Sequence, residues 1–216
     1  MSTLPKLHYI SQGNSPEAHL SNIKEACIAG VELVELRLGN LDELTLLHTA
    51  EQARAITGMY QTRLVIGDAY SVAKTVKADG VLLSSLEVSP LIVRENLHGW
   101  QSIGVVANTL EDCKFLLDTN VDYIRLGPYG IEHQDGTSAI RLKDYETLLQ
   151  AIDTETPILT FGNIQLEDVP FLMDIGLYGI AVSDMLTKDF KKVPMLQKLL
   201  GGASTQEQAW NANDWV

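Results

Sequence analysis

Residues 156–186 read TPILTFGNIQLEDVPFLMDIGLYGIAVSDML and decide the fold. Residues 158–161 and 179–182 are short runs of apolar and β-branched residues, which are typical of buried parallel strands. Gly162 follows the first run at once, where the backbone must turn sharply or approach another group closely. Residues 168–175 then have the apolar spacing of a helix. The stretch therefore predicts strand, turn, helix and strand, with a further helix beginning at its end.

Both predicted strands pass straight into a helix N-terminus, and Ser183 or Asp184 can cap the second helix. Backbone N–H groups and the positive helix end favour an anion such as phosphate at such turns. Similar turns also occur in α/β proteins that bind no ligand. In (β/α)8 barrels, however, the turns after strands seven and eight form a recurring phosphate site. The position of the stretch near the end of a chain of barrel length favours that interpretation.

The rest of the chain repeats the same alternation of strand and helix. Six earlier strands are predicted at 7–11, 31–37, 64–67, 80–83, 103–107 and 122–126. Helices are predicted at 16–29, 42–57, 70–77, 90–97, 109–120 and 142–152, with a last helix ending near Leu200. Eight such units of about 25 residues indicate a single-domain (β/α)8 TIM barrel over residues 1–200. An open doubly wound sheet is the alternative, but the Gly-rich fingerprint it usually carries after the first strand is missing.

Composition limits the function classes. The chain has 216 residues and a net charge of −12, which argues against nucleic acid and anionic membranes as partners. Cys27 and Cys113 fall on apolar helix faces and are predicted to be buried free thiols. With no signal-peptide pattern and no membrane-length apolar run, a cytoplasmic protein is expected. The tail, residues 201–216, contains Trp210 and Trp215, which suggest docking on this chain or a neighbour.

In a barrel, polar residues at the carboxyl ends of the strands form the active site. Glu35 and Arg37 are two residues apart on strand two, so their side chains point to the same side and should pair. Arg125 on strand six has the parity of an inward-facing residue. We therefore expect Arg125 to enter the barrel and meet Glu35 from the opposite wall, since both buried charges need neutralising.

Two carboxylates and one histidine are the remaining candidates. Asp68 and Glu87 follow adjacent strands, and this pair suits Mg2+ carrying a phosphate-rich substrate. Asp68 could instead cap the next helix. His133 lies in the polar loop GPYGIEHQDGTSA, residues 127–139, where it could be an acid or base or simply a solvated side chain.

The chain resembles the thiamine phosphate synthase family and the related thiazole tautomerases over about residues 7–200. The matching landmarks are GVELVELR at 30–37, VIGDAYSVAKTVKADGVLL at 65–83, DYIRLGP at 122–128, PILTFGNI at 157–164 and GIAVSDML at 179–186. Family synthases join a hydroxymethylpyrimidine diphosphate to a thiazole phosphate and release pyrophosphate, with Mg2+ on the diphosphate.

The resemblance assigns roles to the candidate residues. It implies that Arg37 holds the diphosphate and that Asp68 and Glu87 bind Mg2+. It places Glu35 where the family usually has a glutamine that contacts the pyrimidine. The backbone that would hold the thiazole phosphate comprises Gly162, Asn163, Val182 and Ser183.

Several family positions differ in this chain. Gly39 and Gly67 stand where the family usually has Lys and Asn, and Leu82 and Val106 stand where it has His and Ser. The loop GPYGIEHQDG lacks the usual Thr and Lys pattern. Two alternatives therefore stay open, namely a tautomerase-like isomerase using His133 or Glu132, and a non-catalytic barrel that binds a phosphorylated metabolite. The expected partner is a small phosphorylated substrate, with a homodimer as one arrangement of the chain.

Overall fold

The computed structural model describes residues 3–39, 41–130 and 139–201. Eight parallel strands close into a barrel in sequence order. The strands are β1 Leu7–Ile10, β2 Leu33–Leu36, β3 Arg63–Gly67, β4 Gly80–Leu83, β5 Ser102–Ala107, β6 Tyr123–Tyr129, β7 Ile158–Gly162 and β8 Gly179–Val182. The predicted single-domain (β/α)8 barrel is confirmed.

Helices follow the strands and cover the outside of the barrel. They are α1 Pro16–Ile28, α2 Glu43–Tyr60, α3 Tyr70–Thr75, α4 Pro90–Asn96, α5 Leu110–Leu117, α6 Leu142–Ile152, α7 Val169–Asp174, α8 Asp184–Lys188 and α9 Val193–Leu199. Short 3-10 turns at Leu166–Asp168 and Phe190–Lys192 precede α7 and α9. No helix in the described ranges is long and apolar enough to cross a membrane.

Local chemistry sets several helix ends. Ser15 caps α1 by accepting a hydrogen bond from the Ala18 amide, and Pro16 occupies the first helical position. Thr109 and Asp112 form a reciprocal capping box at the start of α5. The predicted end of the second helix at residue 57 is wrong, because α2 continues past Gly58 to Tyr60 and is followed by Gln61 in a left-handed conformation. A glycine inside a helix costs only about 1 kcal/mol, which packing can offset.

Successive side chains along each strand point alternately out of and into the barrel, and this creates two apolar cores. Outward side chains pack against the helices, while an inner cluster fills the barrel. Tyr123 is the largest apolar member of the inner cluster, and a Cβ on Gly104 would lie 2.1 Å from its ring. Gly104 is therefore the residue on β5 that makes room for Tyr123 on β6. Cys27 and Cys113 are buried free thiols, as expected.

The inner cluster is least buried near the carboxyl ends of the strands. Ile10, Val106 and Phe161 are 8–9% exposed, whereas Leu33 and Tyr123 lower in the barrel are 0–1% exposed. These three side chains form an apolar floor at the mouth, and the polar candidates surround that floor.

Candidate active site

A small cleft of about 150 Å³ lies between the turns that follow β7 and β8. It brings together all four residues expected to hold a phosphate, namely Gly162, Asn163, Val182 and Ser183. Gly162 has a φ of +129°, and a Cβ there would lie 2.5 Å from the Tyr129 backbone. Only glycine fits this turn without strain, because the end of β6 passes directly against it.

The two turns differ in the backbone groups that they offer to a ligand. The Asn163 amide donates to the Tyr129 carbonyl at 3.0 Å, so the expectation of a free amide there is wrong. The amides of Ser183, Asp184 and Met185 have no carbonyl acceptor within the described part of the chain. The Ile164 amide likewise has none among these residues. The donors available to an anion therefore come mainly from the turn after β8.

Two lysines line the same cleft, and neither is among the residues predicted from the sequence. Lys188 is exposed and donates to the Asp184 carboxylate at 3.1 Å. A hydrogen bond from Gln12, followed by the one from Lys188, lowers the pKa of Asp184 below its ordinary value. Lys192 is half-buried and has no ion-pair partner among the described residues. Because Lys188 offsets the charge of Asp184, Lys192 remains to attract an anion into the cleft.

A buried ion pair crosses the barrel interior. Arg125 Nη1 donates to Glu35 Oε2 at 2.5 Å, and both side chains are fully buried. This confirms that Arg125 enters the barrel and meets Glu35 from the opposite wall. Glu35 therefore pairs with Arg125, and the expected pairing with Arg37 is wrong.

His8 extends this cluster. Its Nε2 lies 3.0 Å from the Pro5 carbonyl, which can only accept, so Nε2 carries the proton and Nδ1 can accept from Arg125 at 3.5 Å. Burial, followed by the charge of Arg125, lowers the pKa of His8 well below its ordinary value. The cluster therefore contains a neutral imidazole beside a single ion pair.

Three atoms of the cluster have no hydrogen-bond partner among the described residues, namely Glu35 Oε1, Arg125 Nε and the Tyr123 hydroxyl. Glu35 Oε1 lies beside Gly67, because an ideal Cβ on that glycine would be 3.6 Å from it. Unpaired buried polar atoms are costly, so these groups mark a polar spot beneath the apolar floor.

Arg37 follows β2 and lies exposed at the rim. Its Cγ would be 3.6 Å from a Cβ on Gly67, so its stem passes over the end of β3. It has no ion-pair partner in the described ranges. A guanidinium that lacks an internal carboxylate can bind an incoming phosphate through two parallel hydrogen bonds.

Asp68 and Glu87 both lie exposed at the same rim. The Asp68 carboxylate accepts from the Ser84 amide at 2.6 Å and from the Ser84 hydroxyl at 2.9 Å. Asp68 has a φ of +58°, a left-handed conformation that aspartate tolerates better than most residues. It makes no capping hydrogen bond to α3, so the capping alternative is wrong.

The described residues contain no group of three or more His, Cys, Asp or Glu side chains that could hold a metal by themselves. Mg2+ in phosphate-transfer sites commonly uses one or two carboxylates together with substrate phosphates. The donor set of Asp68 and Glu87 fits that kind of shared site, and it does not fit a cage made by the protein alone.

Comparisons with known proteins identify the family. The family model described as thiamine monophosphate synthase matches residues 7–186. The chain belongs to the thiamine monophosphate synthase family. It is 32% identical to the thiamine-phosphate synthase of Flavobacterium johnsoniae over 199 residues, covering 90% of this chain and 94% of that protein. It is also 32% identical to the synthase of Flavobacterium psychrophilum over 203 residues, covering 90% and 98% of the two chains.

A solved structure shares the fold of this family member. The thiamine phosphate pyrophosphorylase of Pyrococcus furiosus superposes with a TM-score of 0.76 at 20% identity, covering 91% of this chain and 95% of that chain. The family and the curated relatives make this a thiamine-phosphate-synthase-like protein of thiamine biosynthesis.

The remaining candidates divide into those outside the described residues and those that the sequence argument missed. His133 and Glu132 lie outside the described residues. His19 is one of the missed residues, since it lies on α1, is 7% exposed and is hydrogen-bonded to Ser11. Lys192 was missed because its sequence context, KKVP, looks like an ordinary solvated helix start. The segment after α8 folds back over the turn that follows β8, and this brings Lys192 to the cleft.

Proposed function

We propose that this protein couples a hydroxymethylpyrimidine diphosphate to a thiazole phosphate and releases pyrophosphate. The cleft between the turns after β7 and β8 is the observation that carries the proposal. Within the described residues it combines amides that have no carbonyl acceptor with a lysine that has no ion-pair partner, and β8 lies two strands round the barrel from β2, which Arg37 follows. Two phosphorylated substrates require two anion sites, and we assign one to this cleft and the other to Arg37.

The chain's own residues act by binding and orientation. The amides after Val182 and the Lys192 ammonium hold the thiazole phosphate, and Arg37 holds the diphosphate. The apolar floor of Ile10, Val106 and Phe161 excludes water beneath the reacting rings. Holding two reactants in line in this way lowers the barrier by removing their relative motion before the reaction.

Asp68 and Glu87 would hold Mg2+ at the diphosphate. When bound, the ion supplies positive charge that stabilises the departing pyrophosphate. The Asp68 carboxylate is already oriented for this role, because the Ser84 amide and hydroxyl hold it at the rim. The exposed Glu87 follows β4, the strand next to Asp68, so the two carboxylates approach the ligand from adjacent strands.

A second candidate is isomerisation of a thiazole phosphate. The pairing of Glu35 with Arg125 favours it, because a buried carboxylate already engaged by an arginine is less available to a pyrimidine. This reaction needs the phosphate cleft and one acid or base, for which His133 or Glu132 would serve. It needs no diphosphate contact and therefore no Arg37.

Product analysis with and without Mg2+ separates the two candidates. We expect the purified protein to form thiamine phosphate from both substrates only when Mg2+ is present, with activity lost in excess EDTA and restored by added Mg2+. Isomerisation of the thiazole phosphate in EDTA would support the second candidate instead. Tight binding of either substrate without any product would contradict both catalytic proposals.

A further inference from the structure

A buried Ser–His pair lies directly behind Arg37. Ser11 follows β1 and is 3% exposed, and its Oγ lies 2.8 Å from His19 Nδ1 on α1. The same Oγ accepts a hydrogen bond from the Arg37 amide at 3.2 Å. The Ser11 amide in turn donates to the Glu35 carbonyl at 2.9 Å. One serine therefore connects α1, the end of β1 and the end of β2.

The second nitrogen of His19 fixes the direction of these hydrogen bonds. Nε2 lies 3.1 Å from the Gly13 carbonyl, which can only accept, so Nε2 carries the proton. Burial lowers the pKa of His19, which keeps the ring neutral and leaves Nδ1 as an acceptor. Ser11 therefore donates its hydroxyl proton to Nδ1, and its oxygen lone pairs remain to accept from Arg37.

The loop between β1 and α1 is built around this pair. A Cβ on Gly13 would lie 2.7 Å from the His19 amide nitrogen and 2.9 Å from His19 Cδ2, so a larger residue would push the ring away. Asn22, one turn further along α1, donates to the Gln12 carbonyl at 2.8 Å and closes the other side of the loop. These contacts leave the imidazole little freedom to move.

We propose that Ser11 and His19 are positioning residues that hold Arg37 ready for the diphosphate. The pair anchors the Arg37 backbone, and the stem of the side chain passes beside Gly67 at the end of β3. An arginine fixed in this way loses less freedom when it binds a phosphate, so its hydrogen bonds contribute more to affinity. The inference rests on the proposed role of Arg37 as the diphosphate ligand.

The test measures the affinity of the full-length protein for inorganic pyrophosphate by calorimetry, with Mg2+ constant throughout. Ser11→Ala is expected to weaken binding about 5-fold, because the anchor of the Arg37 amide is removed. Ser11→Thr retains a hydroxyl and should bind within about 2-fold of the original protein. Ser15→Ala is the matched control, since it removes a hydroxyl from the same loop that caps α1 and makes no hydrogen bond with Arg37 or His19 in the described residues.

A double-variant cycle distinguishes positioning from general loss of structure. In the background of Arg37→Ala, the change Ser11→Ala should have no further effect on pyrophosphate affinity, because the residue that it positions is gone. Equal effects of Ser11→Ala in both backgrounds would overturn the inference. So would full affinity in Ser11→Ala when Arg37→Ala binds weakly.

The same data separate this inference from the proposed function. If the single variant Arg37→Ala binds pyrophosphate as tightly as the original protein, Arg37 does not hold the diphosphate. That result would contradict the proposed function itself. If Ser11→Ala does not fold, His19→Phe removes the acceptor while leaving the serine in place. It should also weaken pyrophosphate binding several-fold only in the presence of Arg37.

Discussion

Arg125→Met is expected to lower the free energy of unfolding by about 3–5 kcal/mol, because it leaves the Glu35 carboxylate buried without its charge partner. The effect is large because neither side chain has any exposure to water. Glu35 Oε1 has no partner among the described residues, and the variant would also remove the hydrogen bond from Arg125 to Oε2. Urea denaturation followed by circular dichroism measures the change.

Two further variants test whether the loss of stability comes from the buried, unpaired charge of Glu35. The double variant Glu35→Gln with Arg125→Met removes the buried charge and should recover a large part of the lost stability. Arg141→Met breaks an ion pair on α6 whose side chains are 73% and 44% exposed. It should cost less than about 1 kcal/mol, since exposed ion pairs contribute little. Similar losses for Arg125→Met and Arg141→Met would refute the account of the interior.

Arg37→Ala is expected to lower kcat/KM for thiamine phosphate formation about 10- to 100-fold. The loss follows from removing a charge-assisted contact of about 1.5–3 kcal/mol to the diphosphate, since 1.4 kcal/mol corresponds to a factor of ten. Stability should barely change, because Arg37 lies at the exposed rim. Steady-state kinetics with the pyrimidine diphosphate as the varied substrate measures the effect.

The control for this prediction is Lys24→Ala, which removes the same charge from the exposed face of α1. It should leave kcat/KM within about 2-fold, because surface charges remote from the mouth are screened by salt. Arg37→Lys should be intermediate, since an ammonium cannot make the two parallel hydrogen bonds of a guanidinium. Full activity in Arg37→Ala would mean that another group binds the diphosphate.

The sequence predicts the barrel and its interior pair for identifiable reasons. Strand and helix periods alternate clearly, and the parity of Arg125 on β6 places it inside the barrel. Arg125 is then the expected partner of Glu35, because a buried charge must be paired. These features depend on residues close together in sequence or on rules that hold for any barrel.

The features that sequence reasoning missed depend on contacts made only after folding. His19 is buried because the loop between β1 and α1 passes close to it at Gly13. The Asn163 amide is consumed by Tyr129, a pairing set by how far β6 extends beside β7. Lys192 reaches the cleft only because α8 is short and the following turn returns over it.

We expect the cleft between the turns after β7 and β8 to bind a substrate phosphate. Calorimetric titration with the thiazole phosphate and with its dephosphorylated alcohol tests it most directly. We predict that the phosphate form binds at least about 10-fold tighter, that Lys192→Ala removes most of this difference, and that Lys191→Ala does not. Equal affinity for the two forms, or a preference for phosphate that survives Lys192→Ala unchanged, would contradict the claim.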